Sequence, residues 1–262
     1  MPKAYEVIAD DLRRSIRSGE REPGDRLPSE ADLALHYRRS VPTVQNALRL
    51  LSDEGLIDRR HGLGTFVRRP RTPAVRDNLR HQWEKDRARR PLATRAGTGA
   101  TEHDTGLRAD DLVFHAEYRE REASGELADV FGVPEGTVLL RRTFRTRYAA
   151  ERAPFSLVTS YLVRDMIAAN PGLLDETKEP WPGGTQHQLH TVGIELDRVE
   201  ERFTACPPTP EEAGALDLPP GTSVILLRKT SYDTGGRVVE VSFVTLPGDR
   251  TELRFTTPLE RW

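Results

Sequence analysis

Two segments of this chain repeat one another, and that repeat limits the available folds more than any other feature. Phe131-Gly132-Val133-Pro134-Glu135-Gly136-Thr137, continuing through Val138-Leu139-Leu140-Arg141-Arg142-Thr143, parallels Leu216-Asp217-Leu218-Pro219-Pro220-Gly221-Thr222, continuing through Ser223-Val224-Ile225-Leu226-Leu227-Arg228-Lys229-Thr230. The shared frame is apolar-Pro-x-Gly-Thr, then Leu-Leu-Arg-basic-Thr. Each copy follows a short helical stretch (125–131 and 210–216), and each helix follows a charged strand (113–123 and 195–205). Each copy also leads into a further strand (154–163 and 237–246). The unit is strand–helix–strand–strand, twice. Two copies are too few for a solenoid, so the pattern predicts two related halves of one antiparallel sheet.

The first seventy residues obey a different rule. Ile8, Leu12 and Ile16 recur every four residues and define an apolar helical face that should stop near Gly19. Glu22-Pro23-Gly24-Asp25 reads as a turn. Ser29 is a good N-cap for a second helix that turns Leu33 and Tyr37 inward, with Asp32 suited to its first turn. Ser40 can cap a third, with Pro42 tolerated at its start and Val44, Ala47, Leu48 and Leu51 on its buried face. After Gly55, residues 56–60 and 65–68 look like strands joined by the glycine-rich turn His61-Gly62-Leu63-Gly64. Helix, helix-turn-helix, then basic hairpin is the succession of a winged helix. Its third helix can lie in a DNA major groove, with the hairpin near phosphates or the minor groove. The whole chain is therefore expected to be α+β.

Charge divides along the same line. Residues 1–95 carry 21 Lys and Arg against 14 Asp and Glu, and residues 96–262 carry 18 against 27, which hides two differently charged modules under a net charge of −2. Much of the basic excess lies in 71–95, where Arg71, Arg76, Arg80, Lys85, Arg87, Arg89, Arg90 and Arg95 face three acids. Broken by prolines and poor in apolar periodicity, 71–95 reads as a basic linker, with a short helix near Asp77–Lys85. No apolar run is long enough to span a membrane. The N-terminus lacks a signal-peptide core, so a cytoplasmic protein is expected. The single cysteine, Cys206, excludes an internal disulfide framework and a Cys-rich zinc site. His61 has no partner at ligand spacing, and His187 and His190, three apart, lack visible further ligands. No metal or cofactor is expected.

Tyr5-(x)2-Ile8-Ala9, Gly24-Asp25-Arg26-Leu27-Pro28-Ser29-Glu30, Thr43-Val44-(x)2-Ala47-Leu48, Glu54-Gly55-Leu56-Ile57 and Gly62-Leu63-Gly64-Thr65-Phe66-Val67 resemble the GntR family of bacterial transcription regulators over roughly residues 4–69. The resemblance implies a winged helix-turn-helix domain over 1–70 and a homodimer on a two-fold operator of double-stranded DNA. Where that family commonly places arginines, this chain has Ala31, Val41 and Gln45, so the usual operator is not assumed. The remaining contact candidates are Arg38, Arg39, Ser40, Thr43, Gln45, Asn46 and Arg49. In the wing they are Arg59, Arg60, His61, Gly62 and Gly64. Gln45 has the chemistry to read adenine, whereas Arg49, a turn further on, suits a phosphate.

The repeat and its place behind the winged helix resemble the UTRA domain of the HutC-type branch of that family, whose fold is similar to chorismate lyase. This assigns 96–262 to effector binding and dimerisation, on a mainly antiparallel sheet. By the resemblance, an Arg-x-Arg on a strand and a small hydroxyl residue at a helix start hold an anion; the matching positions are Arg145, Arg147 and Thr185. Alternate strand residues share a face, so both guanidinium forks could meet one ligand. Glu240 matches an acid that contacts ligand hydroxyls, and Ser160 and Tyr161 lie in the matching Thr159-Ser160-Tyr161 run. Val158, Leu246 and Pro247 stand where the family has polar groups. Those losses favour a hydrophobic or mixed anionic effector over an amino-sugar phosphate.

The resulting expectation is a ligand-responsive repressor, released from its operator when a small anionic effector binds the C-terminal domain. Two rivals stand beside it: a plasmid-type repressor with a vestigial pocket, and a lyase-like enzyme. The enzyme rests on fold analogy alone, with no nucleophile–base pairing behind it, and a non-enzyme is expected.

Overall fold

The computed structural model describes residues 2–260. The chain divides into two compact units, one built on residues 2–71 and one on residues 72–260, with the short stretches 207–213 and 217–223 grouped with the first.

The first unit contains α1 (Ala4–Arg17), α2 (Glu30–Tyr37), α3 (Val41–Asp53), β1 (Ile57–Arg60) and β2 (Gly64–Val67). The predicted apolar faces close into one core of Ile8, Leu12, Leu33, Val44, Leu48, Leu51, Ile57 and Val67. Ser29 caps α2 by accepting from the Asp32 amide at 3.1 Å. Arg38 ends that helix in the left-handed region at φ 52°. Ser40 occupies the N-cap of α3, but its hydroxyl pairs with Thr43 Oγ1 at 2.8 Å and caps no backbone amide. β1 and β2 are antiparallel, with Arg60 opposite Gly64. The 22–27 turn joins them: the Gly24 and Leu27 amides donate to the Val67 and Thr65 carbonyls at 2.9 and 2.8 Å. The wing thus carries a third edge beside the expected 22–25 turn, through an isolated antiparallel bridge of Arg26 with Phe66.

The second unit begins with β3 (Ala74–Asp77), α4 (Arg80–Ala88), α5 (Leu92–Ala96) and α6 (Ala100–Thr105). Next come β4 (Leu112–Glu122), α7 (Gly125–Phe131), β5 (Val138–Tyr148), β6 (Leu157–Val163), α8 (Arg164–Ile167) and α9 (Gly184–His190). The last part holds β7 (Leu196–Cys206), β8 (Val224–Asp233), β9 (Val238–Pro247) and β10 (Thr251–Arg254), while α10 (Pro210–Ala215) falls mostly within the stretch 207–213 grouped with the first unit. Six strands form one sheet in the order β4-β5-β6-β9-β8-β7, every pair antiparallel. The two repeats are its halves, joined where β6 meets β9. The repeated Pro-x-Gly-Thr is the same tight turn in both. Thr137 donates to the Pro134 carbonyl and Thr222 to that of Pro219, each at 3.2 Å. The glycine between them, Gly136 or Gly221, sits at φ 81° or 78°. That is the position of such a turn where a side chain is strained.

Residues 71–95 depart from the expected linker. β3 pairs parallel with β10, Ala74 opposite Thr251, so two segments remote in sequence form a small second sheet. Their charged side chains are partly buried against the unit, which is why apolar periodicity failed to reveal them. One sheet face packs on α7 through Leu127, Phe131, Leu139, Tyr161 and Val241. The other carries a core of Leu140, Leu162, Leu189 and Leu196 and, beside it, a cavity.

Candidate functional sites

In the first unit, the exposed start of α3 presents Arg39, Ser40 and Gln45, with Thr43 and Asn46 half-buried and Arg49 exposed one turn on. Arg38 is exposed at the preceding corner, and Arg59, Arg60, His61 and Gly62 are exposed on the hairpin. Two of these residues are tethered to one acid: Gln45 Nε2 and Arg59 Nη2 donate to the two oxygens of Glu30, at 2.6 and 3.0 Å. Asn46 Oδ1 accepts from Arg49 at 2.9 Å, and the Arg60 guanidinium lies over the Phe66 ring at 4.7 Å. Gly64 has φ 120°, and a Cβ there would stand 2.9 Å from Arg26 Nε. This glycine therefore lets the arginine cross the hairpin.

The second unit contains a cavity of about 680 Å³ lined by β3, α4, α6, α9 and one sheet face. Phe114, Phe144, Phe155, Val158, Val244 and Leu246 make part of its wall apolar. Charged groups make the rest, and two buried networks organise them.

The first network centres on Arg142, only 1% exposed. Its guanidinium donates to Gln188 Oε1 at 2.7 Å, Ser160 Oγ at 2.9 Å, Glu240 Oε1 at 3.2 Å and Thr185 Oγ1 at 3.3 Å. All four partners line the cavity. Glu240 also accepts from Lys229 at 2.8 Å and from the hydroxyls of Ser160, Ser242 and Ser231. Burial would raise its carboxyl, but Lys229 and Arg142 outweigh burial and hold it at about 2.

The second network comes from the supposed linker. Arg80 pairs with Asp104, and Arg76 meets Glu201 at 3.3 Å. His81 Nε2 reaches Glu201 at 3.2 Å. Burial pushes Glu201 up, yet His81, Arg76 and Arg80 hold it at about 2. The same acids, Glu201 and Glu84, raise His81 against its own burial. His187 accepts from Trp181 Nε1 at 2.8 Å. Burial first, and Arg95 second, lower it to about 4. Among the described residues no group of His, Cys, Asp and Glu could hold a metal ion, and no helix is long and apolar enough to cross a membrane.

The expected pocket residues divide by strand parity. Ser160, Thr185 and Glu240 line the cavity. Arg145 is exposed on the opposite face of β5, Arg147 donates to the carbonyls of Ala149 and Glu151 at 3.2 and 3.1 Å, and Tyr161 is buried against α7. These three leave the site, because strand side chains alternate and the cavity takes Phe144 and Thr146. Arg142 shares their parity and is the arginine the site uses. The sequence held no signal for it, because Arg141 stands in the same relation to the equally buried Leu139 on the other face. Arg80, Glu84 and Arg87 were missed because a charged helix facing a polar cavity leaves no apolar stripe, and Arg76 because β3 is a short charged strand.

Residues 4–67 match the family of bacterial regulatory proteins called gntR, and residues 115–252 match the UTRA domain. The chain is 30% identical to an uncharacterised HTH-type transcriptional regulator of Streptomyces coelicolor, over 95% of this chain and 91% of that protein. It is 25% identical to the histidine utilization repressor of Klebsiella aerogenes, over 95% and 92%. A solved structure described as a GntR-family transcriptional regulator superposes with a TM-score of 0.63 at 25% identity, covering 98% of each chain.

Proposed function

Since the chain belongs to the GntR family and carries a UTRA domain behind its winged helix, we propose that it is a cytoplasmic transcriptional repressor, homodimeric on a two-fold operator and released from it when a small anionic effector enters the cavity of the second unit. The observation that carries this reading is the cavity itself. About 680 Å³ is the size of a small-molecule site, and part of its charged wall comes from β3 and α4, the first elements after the winged helix in the chain. A ligand seated there acts on the segment leading out of the DNA-binding unit. It can lower DNA affinity only by the difference in its own affinity for the two states. Repression is the activity in the name of the Klebsiella relative.

The DNA-reading role falls to Arg38, Arg39, Ser40, Thr43, Gln45, Asn46 and Arg49, with Arg59, Arg60, His61, Gly62 and Gly64 on the wing. The effector role falls to Ser160, Thr185 and Glu240, joined by Arg142 beneath them. Genome-wide capture of bound DNA should return a near-palindromic site. Small molecules handled by the products of neighbouring genes should then weaken binding to it. Capture of no enriched sequence, at salt low enough for phosphate contacts to hold, would overturn the reading.

A further inference from the structure

Most cations at the cavity are already matched by an acid: Arg76 by Glu201, Arg80 by Asp104 and Lys229 by Glu240. Two are not. Arg87 is only 6% exposed, lines the cavity and donates one hydrogen bond, to the Arg95 carbonyl at 2.9 Å. Its guanidinium stacks over Trp83 at 4.8 Å, and its buried Nε has no partner. Arg95 lines the same cavity and donates only to the carbonyls of Arg90 and Pro182, each at about 2.9 Å or less. Neither makes an ion pair among the described residues; Glu84 and Glu102 act on Arg87 only from longer range. A buried guanidinium without a counterion is costly unless something supplies the charge. The same cavity has an aromatic and aliphatic share of wall, with Phe114, Phe144 and Phe155 foremost.

We infer that Arg87 and Arg95 form the anion anchor of the cavity, and that the effector is a monoanion with an apolar, ring-sized body, an aryl or alicyclic carboxylate. This deepens the effector-site reading and rests on it. One carboxylate offsets the charge of buried Arg87 and takes its guanidinium fork, while half-exposed Arg95 keeps access to water. A doubly charged sugar phosphate would set part of a polyhydroxyl body against phenylalanines and bring a second charge that the one fully buried unpaired guanidinium does not call for.

The test uses the full chain, with phenylacetate, indole-3-acetate and cyclohexanecarboxylate as probes, their neutral amides as controls and glucose 6-phosphate as the rival. Calorimetric titration and the thermal midpoint are the readouts, since a ligand of the folded state raises that midpoint. At least one acid should bind about tenfold or more tightly than its amide, and Arg87→Met should abolish that difference. Arg95→Gln, at a half-exposed position, should reduce it and covers the case in which Arg87→Met does not fold. Equal binding of acid and amide, or an acid preference untouched by both substitutions, overturns the anchor. Binding of glucose 6-phosphate but no ring acid also overturns it, while leaving the effector-site reading standing. Silence from every probe overturns the ring-acid class, and the effector-site reading then stands or falls on whether ligands drawn from the operator's neighbouring genes bind.

Discussion

Gln45 Nε2 donates to a Glu30 oxygen at 2.6 Å across the α2–α3 corner, so the residue best suited to read a base is held by an acid in the free protein. To meet adenine N6 and N7 it must exchange that partner for a base edge. Gln45→Ala is expected to weaken operator binding by about 1–3 kcal/mol while changing affinity for scrambled duplex little. Titrations against both duplexes at one salt concentration check this, and an equal loss on the two would remove Gln45 from base reading.

Arg59 shares Glu30, at 3.0 Å on its other oxygen, but it sits on the wing and suits a phosphate. Its removal should act uniformly. Arg59→Ala is expected to weaken operator and scrambled duplex alike and to lower the slope of log affinity against log salt by about 1. Glu30→Gln takes a negative charge off the same surface and should strengthen non-specific binding while eroding discrimination. An unchanged salt slope in Arg59→Ala would place that arginine off the backbone.

Much of the fold is legible in the sequence where chemistry and periodicity agree. The apolar faces of α1 and α3 could be read from i, i+4 spacing, and the repeat foretold the sheet because a turn needing positive φ recurs in both halves. The effector site was harder. Arg145 and Arg147 satisfy the alternation rule as well as Arg142 does, and Leu139 and Leu140 are both buried, so the strand's own pattern does not tell which face holds the cavity. For 71–95, charge, proline and missing apolar periodicity read as a basic linker. In the folded unit the charges of Arg76, Arg80 and Glu84 face one another instead, a pattern that a hydrophobicity argument cannot see.

Arg142 and Glu240 are both almost wholly buried and 3.2 Å apart. Removing Arg142 strips Glu240 of one of its two cationic partners and the oxygens of Gln188, Ser160 and Thr185 of their shared donor, at a cost of up to about 3–5 kcal/mol. Arg142→Met is therefore expected to lose about that much stability in urea unfolding. Adding Glu240→Gln should recover part of it, because the buried carboxylate left with Lys229 alone is then neutral and half-buried Lys229 keeps access to water. A double variant no more stable than Arg142→Met would show that packing, not charge, sets the loss.

Acid should unfold the protein through the same groups. Glu240 and Glu201 are both held at about 2 against an ordinary 4.5. A depressed carboxyl contributes stability that is fully present above its unfolded pKa and lost as pH falls toward the folded one. For Glu240, roughly 3 kcal/mol should therefore disappear between about pH 4.5 and 2. The histidines act in higher windows and in opposite senses. His81, raised above 6.5, stabilises at low pH and ceases to do so as pH climbs through its folded value. His187, lowered to about 4, removes stability as pH falls from 6.5 toward 4. Below that, the carboxylates decide. The difference in unfolding free energy between the parent and Glu240→Gln should therefore be largest near neutral pH and shrink steadily below pH 4.5. A difference that stays constant down to pH 3 would mean that the Glu240 charge, as opposed to its shape, contributes nothing to the fold.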